Sequence, residues 1–159
     1  MKVKTQVKNA VMAALLGKNE ISAPTALVND EIKNLKMQMA QNMGQDSSKI
    51  DLDSLPDDLY REEGIKRVKL GLLVGELIRL EKVELDKARF DSVLQDMAAS
   101  YEHPQQVIDY YTKNNDARNS LEGMVLEDQV VDLILEKAKV TEKTVSFDEI
   151  MNDQAAPAA

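Results

Sequence analysis

The run from residue 65 to residue 80, IKRVKLGLLVGELIRL, constrains this chain more than any other stretch. Its apolar residues are Ile65, Val68, Leu70, Leu72, Leu73, Val74, Leu77, Ile78 and Leu80. At 3.6 residues per turn they cover most of a helix circumference instead of one stripe. That pattern predicts a central helix hidden on several sides. Gly71 and Gly75 lie four apart and share a face, which gives a second helix room to approach closely. Each glycine costs roughly 1 kcal/mol of helix propensity, and tight packing is the natural reason to carry one. Lys69, Glu76 and Arg79 interrupt the run, so no segment reaches the roughly 20 apolar residues of a membrane span.

The rest of the chain reads as helices leaning on that strut. Residues 2 to 16 put Val3, Val7, Ala10, Val11, Ala14 and Leu15 on one face, with lysines opposite and a stop at Gly17 or Asn19. Ser22 and Pro24 announce a second helix. Its apolar face is Leu27, Ile32, Leu35, Met39 and Met43, with Met37 beside it, and Gly44 ends it. Residues 45 to 55 are polar and read as a loop. Pro56-Asp57-Asp58 opens the central helix, which fades near Val83. Asp86 caps a helix carrying Phe90, Val93, Leu94, Met97 and Tyr101 on one face. Pro104 stops that helix and starts another. Asn114-Asn115-Asp116 caps a long helix over about residues 117 to 139, with Leu121, Met124, Val125, Val131, Leu133, Ile134, Leu135 and Ala138 as its apolar set. Ser146 with Glu149 has the form of a capping box, although residues 143 to 147 suit a short strand as well. Residues 1 to 151 thus read as one all-α domain, and residues 152 to 159 as a mobile tail.

The chemistry-bearing residues are few. There is one histidine, His103, and there is no cysteine. The usual zinc spacings cannot be met, and no disulfide can form. Gly71-x-x-x-Gly75 lies inside a helix and lacks the Lys-Ser/Thr of a phosphate loop. The acid pairs Asp57-Asp58 and Glu62-Glu63 read as solvated helix starts. No serine has the surroundings of an activated nucleophile. The expectation is a protein that is not an enzyme and needs no cofactor. The formal net charge of −8 argues against nucleic acid as a partner. The first residues are too short in their apolar run for a signal peptide and carry no cleavage pattern. The reading is therefore cytoplasmic, with neither a membrane nor a leader. The first helix opens without a cap, which suggests a piece of a longer chain.

Three of the four tyrosines, Tyr101, Tyr110 and Tyr111, fall within eleven residues of an otherwise aromatic-poor chain. Met97 lies four before Tyr101, and Val107 three before Tyr110, so each pair shares a helix face. The junction at His103-Pro104 would join the two faces. Tyrosine tolerates a wetted binding surface, and the eight methionines add adaptable apolar contacts. Two uses fit this cluster: a binding patch for another chain, or the core contact between two hairpin helices.

Four segments carry a family resemblance: ISAPTALVNDEIKNLKMQMAQNMG, KLGLLVGELIRLEKVELD, MAASYEHPQQVIDYYTKN and LEDQVVDLILEKAKVTEKTVSFDEIMN. Together they resemble the C-terminal domain of bacterial trigger factor, the ribosome-associated chaperone, over nearly the whole chain. The resemblance implies an elongated helical body with two projecting arms that cradle unfolded polypeptide. It implies ATP-independent shielding of apolar segments in unfolded or nascent chains. It places the family's substrate-contacting patch at an arm tip, on Met97, Tyr101, Val107 and Tyr110, with Tyr111 adjoining. Ribosome docking and the prolyl isomerase belong to family parts without a counterpart in this sequence. His103 departs from the acid that relatives carry before the proline. A helical scaffold with permanent apolar interfaces stays open beside the chaperone reading, as does a weak homodimer.

Overall fold

Helix boundaries in this chain are set by a few polar side chains and by proline. In the computed structural model, which describes residues 2–42 and 55–141, six helices follow one another. They are α1 (Lys2–Lys18), α2 (Thr25–Asn42), α3 (Asp58–Glu81), α4 (Lys87–Ala99), α5 (Pro104–Lys113) and α6 (Asn115–Lys137). No strand occurs among the described residues, and the all-α expectation is met. None of these helices is long and apolar enough to cross a membrane. Met43, Gly44, the expected loop up to residue 54, the Ser146–Glu149 segment and the tail lie outside the described residues.

The caps show why the helices start and stop where they do. Asp86 accepts hydrogen bonds from the Ala88 and Arg89 amides through its carboxylate, at 2.9 and 3.1 Å. Asn114 accepts one from the Ala117 amide at 3.0 Å. These side chains satisfy donors that the first turn leaves without a partner. Asn19 donates to the Leu15 carbonyl at 2.8 Å at the end of α1. At the end of α3, Lys82 takes a left-handed φ of 52°. The Val83 amide then reaches back to the Ile78 carbonyl at 3.0 Å, the bond that closes a helix through a left-handed residue.

By their contacts the residues divide into two compact units: Met1–Val11 with Val74–Ala159, and Met12–Leu73. In the first unit α4, α5 and α6 pack against one another. Phe90 and Leu94 of α4 meet Leu121 and Val125 of α6 in a sealed cluster. Leu85, Val93, Met97, Ile108 and Tyr111 pack around it. Polar contacts hold the approach to α4 against α6. Gln129 accepts from the Asp86 amide at 3.0 Å and donates to the Glu84 carbonyl at 2.9 Å. Arg89–Asp132 and Lys137–Glu81 pair at 2.6 Å each. The start of α1 is fastened to α6 by charge: Lys4 and Lys8 reach Asp128 at 2.7 and 3.0 Å, and Lys8 reaches Glu127 at 3.4 Å.

In the second unit α2 buries Val28, Ile32, Leu35, Lys36 and Ala40, spaced three, four and one apart as one helical stripe. Gly64 of α3 sits against it. A Cβ there would come within 3.3 Å of Ile32 Cγ1 and 3.7 Å of the Val28 carbonyl oxygen. Arg67 bridges the two helices, contacting Glu31 and Gln38 of α2 at 3.3 Å each, and Glu63 on its own helix at 3.2 Å. Lys36 is only 4% exposed and pairs with Asp57 at 2.6 Å.

Several expectations are corrected. The central helix is not hidden on several sides: Gly64 is its one buried residue, and Leu72 and Leu80 are exposed. The glycine that admits a neighbour is Gly64, since a Cβ on Gly71 or Gly75 would meet nothing within 4 Å. On α2, Leu27, Met37 and Met39 are exposed, and the sealed stripe runs through Val28 and Lys36 instead. On α1, Val3, Val7, Ala10 and Ala14 are exposed and Val11 and Met12 are buried. On α6, Met124 and Ala138 face solvent, while Val130, absent from the expected set, is completely sealed. Asp57 is not a free acid at a helix start but the partner of a buried lysine.

Candidate functional site

The five residues singled out in the sequence all lie on α4, α5 and the turn between them. Helix α4 ends at Ala99 with Ser100 as its C-terminal cap. Tyr101 therefore lies beyond the helix, held by its amide to the Ala98 carbonyl at 3.0 Å, and does not share an α4 face with Met97 as the spacing suggested. Its side chain is in water: Tyr101 is 60% exposed. Helix α5 begins at Pro104, whose missing N–H and fixed φ suit a first helical position. His103 precedes it as N-cap but makes no capping hydrogen bond through its side chain.

On α5, Val107 and Tyr111 are half-buried and Tyr110 is 56% exposed. Tyr110 and Tyr111 meet edge to face, with ring centroids 5.5 Å apart and planes at 88°. That geometry places the positive rim of one ring on the negative face of the other. Met97 and Tyr111 both pack against the Phe90–Leu121 cluster. The set is therefore divided. Met97 and Tyr111 are shared with the core, Val107 is half-buried, and Tyr101 and Tyr110 stand out in water.

The polar groups around these residues are acidic on balance. Asp96, Glu102 and Asp109 lie in the stretch from Met97 to Tyr111 or beside it, against one cation, Lys113. Hydrogen bonds from Gln105 at 2.9 Å and Lys113 at 3.3 Å hold the Asp109 carboxyl below its usual range, with the Lys113 charge adding to the effect.

A second feature of the same unit has no counterpart in the sequence reading. A cleft of about 310 Å³ opens beside the core, with Leu85, Phe90, Leu94, Ile108 and Tyr111 as its apolar lining. Lys87, Asp91, Thr112 and Arg118 complete it. The Arg118 guanidinium carbon stands 6.0 Å from the Phe90 ring centroid. Ile108 was the available signal, since it lies three before Tyr111 and so shares its face. In the other unit a more open cleft of about 670 Å³ is lined by Leu16, Ile21 and Ile65 with Glu20, Glu62, Lys66 and Lys69. No cluster of acids and histidine able to hold a metal ion exists among the described residues.

Residues 1–136 match the family model for the bacterial trigger factor protein C-terminus. The chain belongs to the trigger factor family. It is 45% identical over 150 residues to a trigger factor of Thioalkalivibrio sulfidiphilus, an alignment covering 94% of this chain and 34% of that protein. It is 45% identical over 151 residues to a trigger factor of Actinobacillus succinogenes, covering 95% and 35%. Against a trigger factor of Stutzerimonas stutzeri it is 41% identical over 157 residues, covering 99% and 35%. The chain thus spans about a third of the length of the curated relatives it matches. The matched region is the C-terminal part of the trigger factors, as the four sequence segments implied.

Proposed function

We propose that this trigger factor C-terminal chain is an ATP-independent holding module, and that Met97, Tyr101, Val107, Tyr110 and Tyr111 form one of the surfaces on which it receives apolar segments of unfolded or nascent polypeptide. The observation that carries the reading is the exposure of Tyr101 and Tyr110, at 60% and 56%, beside a core already closed by Phe90, Leu94, Leu121 and Val125. Two aromatic residues are kept in water where the local fold does not need them. Each ring offers a large apolar face and a hydroxyl that stays hydrated.

The binding step is desolvation. An extended client lays aliphatic or aromatic side chains over the tyrosine rings and the Met97 thioether, and apolar area leaves water on both partners. At about 25 cal/mol per Å², one such patch gives weak, reversible affinity. Further exposed apolar residues of the same unit, among them Leu80 and Met124, add to it once the first contact is made, because later contacts form at high effective concentration. The acidic groups around the patch keep the loaded complex hydrated. Engagement of the ribosome would proceed through parts of trigger factor other than this region.

The test is suppression of aggregation. A denatured client diluted into a several-fold excess of the chain should scatter less light than the client alone. Replacing Met97, Tyr101, Val107 and Tyr110 together by Ser should reduce the protection and leave helical content nearly unchanged. Unchanged scattering with the parent chain would remove the holding activity. Sedimentation separates the scaffold alternative, which requires a tight dimer that binds no unfolded client.

A further inference from the structure

Packing does not account for Gly71 and Gly75. A Cβ on either would meet nothing within 4 Å, so no neighbour requires their small size. Both lie inside α3, which runs unbroken from Asp58 to Glu81. Each weakens that helix about five-fold relative to alanine, because glycine has the most backbone freedom to lose on folding. Gly64 of the same helix is different, since Ile32 and the Val28 carbonyl lie against it. Two further observations fall at the same place. The compact units divide between Leu73 and Val74, which lie between the two glycines. No residue of α3 after Gly64 is buried, so no sealed side chain anchors this stretch. The chain passes from one unit to the other a second time, between Val11 and Met12 of α1. There, no residue from Val3 to Ala10 is buried, and Lys4 and Lys8 hold the stretch to Asp128 and Glu127 by charge. Ion pairs near a surface hold less firmly than packed apolar side chains.

We infer that Gly71 and Gly75 form a hinge in α3, at the point where the chain leaves one unit for the other. Hinges are a few positions that absorb a change in φ and ψ, and glycine accepts such a change at the least steric cost. Bending there lengthens or breaks the helix hydrogen bonds that span the two glycines. Those bonds are donated by the amides from Leu72 to Arg79, each to the carbonyl four residues before it. The glycines are thus kept for motion and not for close approach. The inference does not depend on the holding function proposed above.

The experiment is native-state hydrogen exchange of the 159-residue chain, followed by NMR at urea concentrations below the unfolding transition. Local bending exposes little new surface, so the exchange it permits does not respond to urea, whereas opening of a packed unit does. The amides from Leu72 to Arg79 should exchange at a urea-independent rate, and faster than those from Leu121 to Val125, whose rate should rise with urea. Gly71→Ala should slow exchange over Leu72 to Arg79 about five-fold, and Gly71→Ala combined with Gly75→Ala up to about thirty-fold. Gly123 is the control. It too lies inside a helix with open space at its Cβ, but away from the division of the units. Gly123→Ala should leave exchange over Leu72 to Arg79 unchanged. Relaxation dispersion, which reads microsecond-to-millisecond motion, should show that motion at the same residues in the parent and lose it in the double alanine variant. Exchange over Leu72 to Arg79 that rises with urea in parallel with α6 would overturn the hinge. So would urea-independent exchange spread evenly along α3, or dispersion that the two alanines leave unchanged.

Discussion

The approach of α3 to α2 and the three-helix unit of α4, α5 and α6 close their apolar surfaces by opposite means. Where α3 meets α2, closure depends on a residue with no side chain, Gly64, and on a lysine whose stem completes the α2 stripe while its ammonium reaches Asp57 at 2.6 Å. In the three-helix unit, closure depends on bulk: Phe90, Leu94, Leu121 and Val125 fill the centre with no charge among them. The first arrangement is limited by contact distance and leaves little choice at each position. The second leaves a surplus, because its centre is filled before Tyr101 and Tyr110 are used. A surface for other chains can be kept on the second without loss of the fold.

The largest effect expected is at the centre of that unit. Leu121 is 2% exposed, and Leu121→Ala should lower stability by about 3 kcal/mol through lost burial and the cavity left behind. Urea unfolding followed by circular dichroism measures the total, and hydrogen exchange assigns it to amides of α4, α5 and α6. A loss below about 1 kcal/mol would mean the helices close over the gap, and the unit would then not depend on bulk. Next comes Gly64→Val, expected to cost about 2 kcal/mol from overpacking against Ile32 and the Val28 carbonyl. The same change at Gly71 or Gly75 meets open space, and alanine at either should stabilise the helix by up to about 1 kcal/mol. Equal responses at the three glycines would erase the distinction between contact-limited and open positions.

Lys36 and Asp57 sharpen the comparison from the other side. Asp57→Ala removes the carboxylate 2.6 Å from a buried ammonium and should lower the unfolding midpoint. Lys36→Met keeps the stem, removes the charge and should leave the midpoint unchanged or raise it, as for other buried ion pairs replaced by apolar side chains. A fall for Lys36→Met as large as for Asp57→Ala would show the pair to be a net source of stability.

A smaller effect belongs to the fastening of α1 on α6. Burial pushes the Asp128 carboxyl up, but hydrogen bonds from Lys4 and Lys8 and the charges of both outweigh it, so its pKa is lowered. For Lys8, burial opposes the ammonium, and the Asp128 hydrogen bond with the charges of Glu127 and Asp128 outweighs it, so its pKa is raised. A carboxyl whose folded pKa is depressed stabilises fully above its unfolded value of about 3.9, and that contribution is lost as pH falls through the lower folded value. The lysine contribution is present below its unfolded value of about 10.4 and is lost as pH rises through the raised one. Asp128→Asn should cost about 1 kcal/mol at neutral pH, with the difference from the parent narrowing below about pH 4. A constant difference down to pH 2 would place the effect in packing instead of charge.

How much of this could be read from the chain follows from where each signal resides. Helix ends were legible because the residues that make them are local: Asp86 and Asn114 cap through their own carboxylate and amide, and Pro104 starts α5 by its ring. Packing partners were not legible, because spacing along one helix says nothing of what faces it. Gly71 and Gly75 had the better pattern, but Gly64 has the neighbour. The α2 stripe was misread because Lys36 lies within it, and a lysine on a buried face breaks the apolar period while its stem completes the surface. Val130 was hidden by the polar Glu127-Asp128-Gln129 before it. Of the surface residues, Tyr101 was placed on the wrong element, because nothing in the spacing shows that α4 stops at Ala99. Of the cleft only Ile108, three before Tyr111 on the same face, left a signal, since the rest of its lining comes from three helices and the turn before α4.

The smallest expected effect on stability tests the surplus directly. Tyr110→Ser should change stability by no more than about 0.5 kcal/mol, as for surface positions in general, since Tyr110 is mostly in water and its one ring contact among the described residues is with Tyr111. The matching change at Tyr111 removes a ring packed against the cluster of Phe90, Leu94, Leu121 and Val125 and should cost clearly more. The two residues are adjacent in sequence and alike in chemistry, so they form an internal control: intrinsic propensity is the same, and only burial differs. If an unfolded client is held at this surface, its affinity should fall with Tyr110→Ser while the unfolding midpoint stays in place. Should the two serine variants lose equal stability, the outer ring would be structural after all, and the three-helix unit would have no aromatic residue to spare.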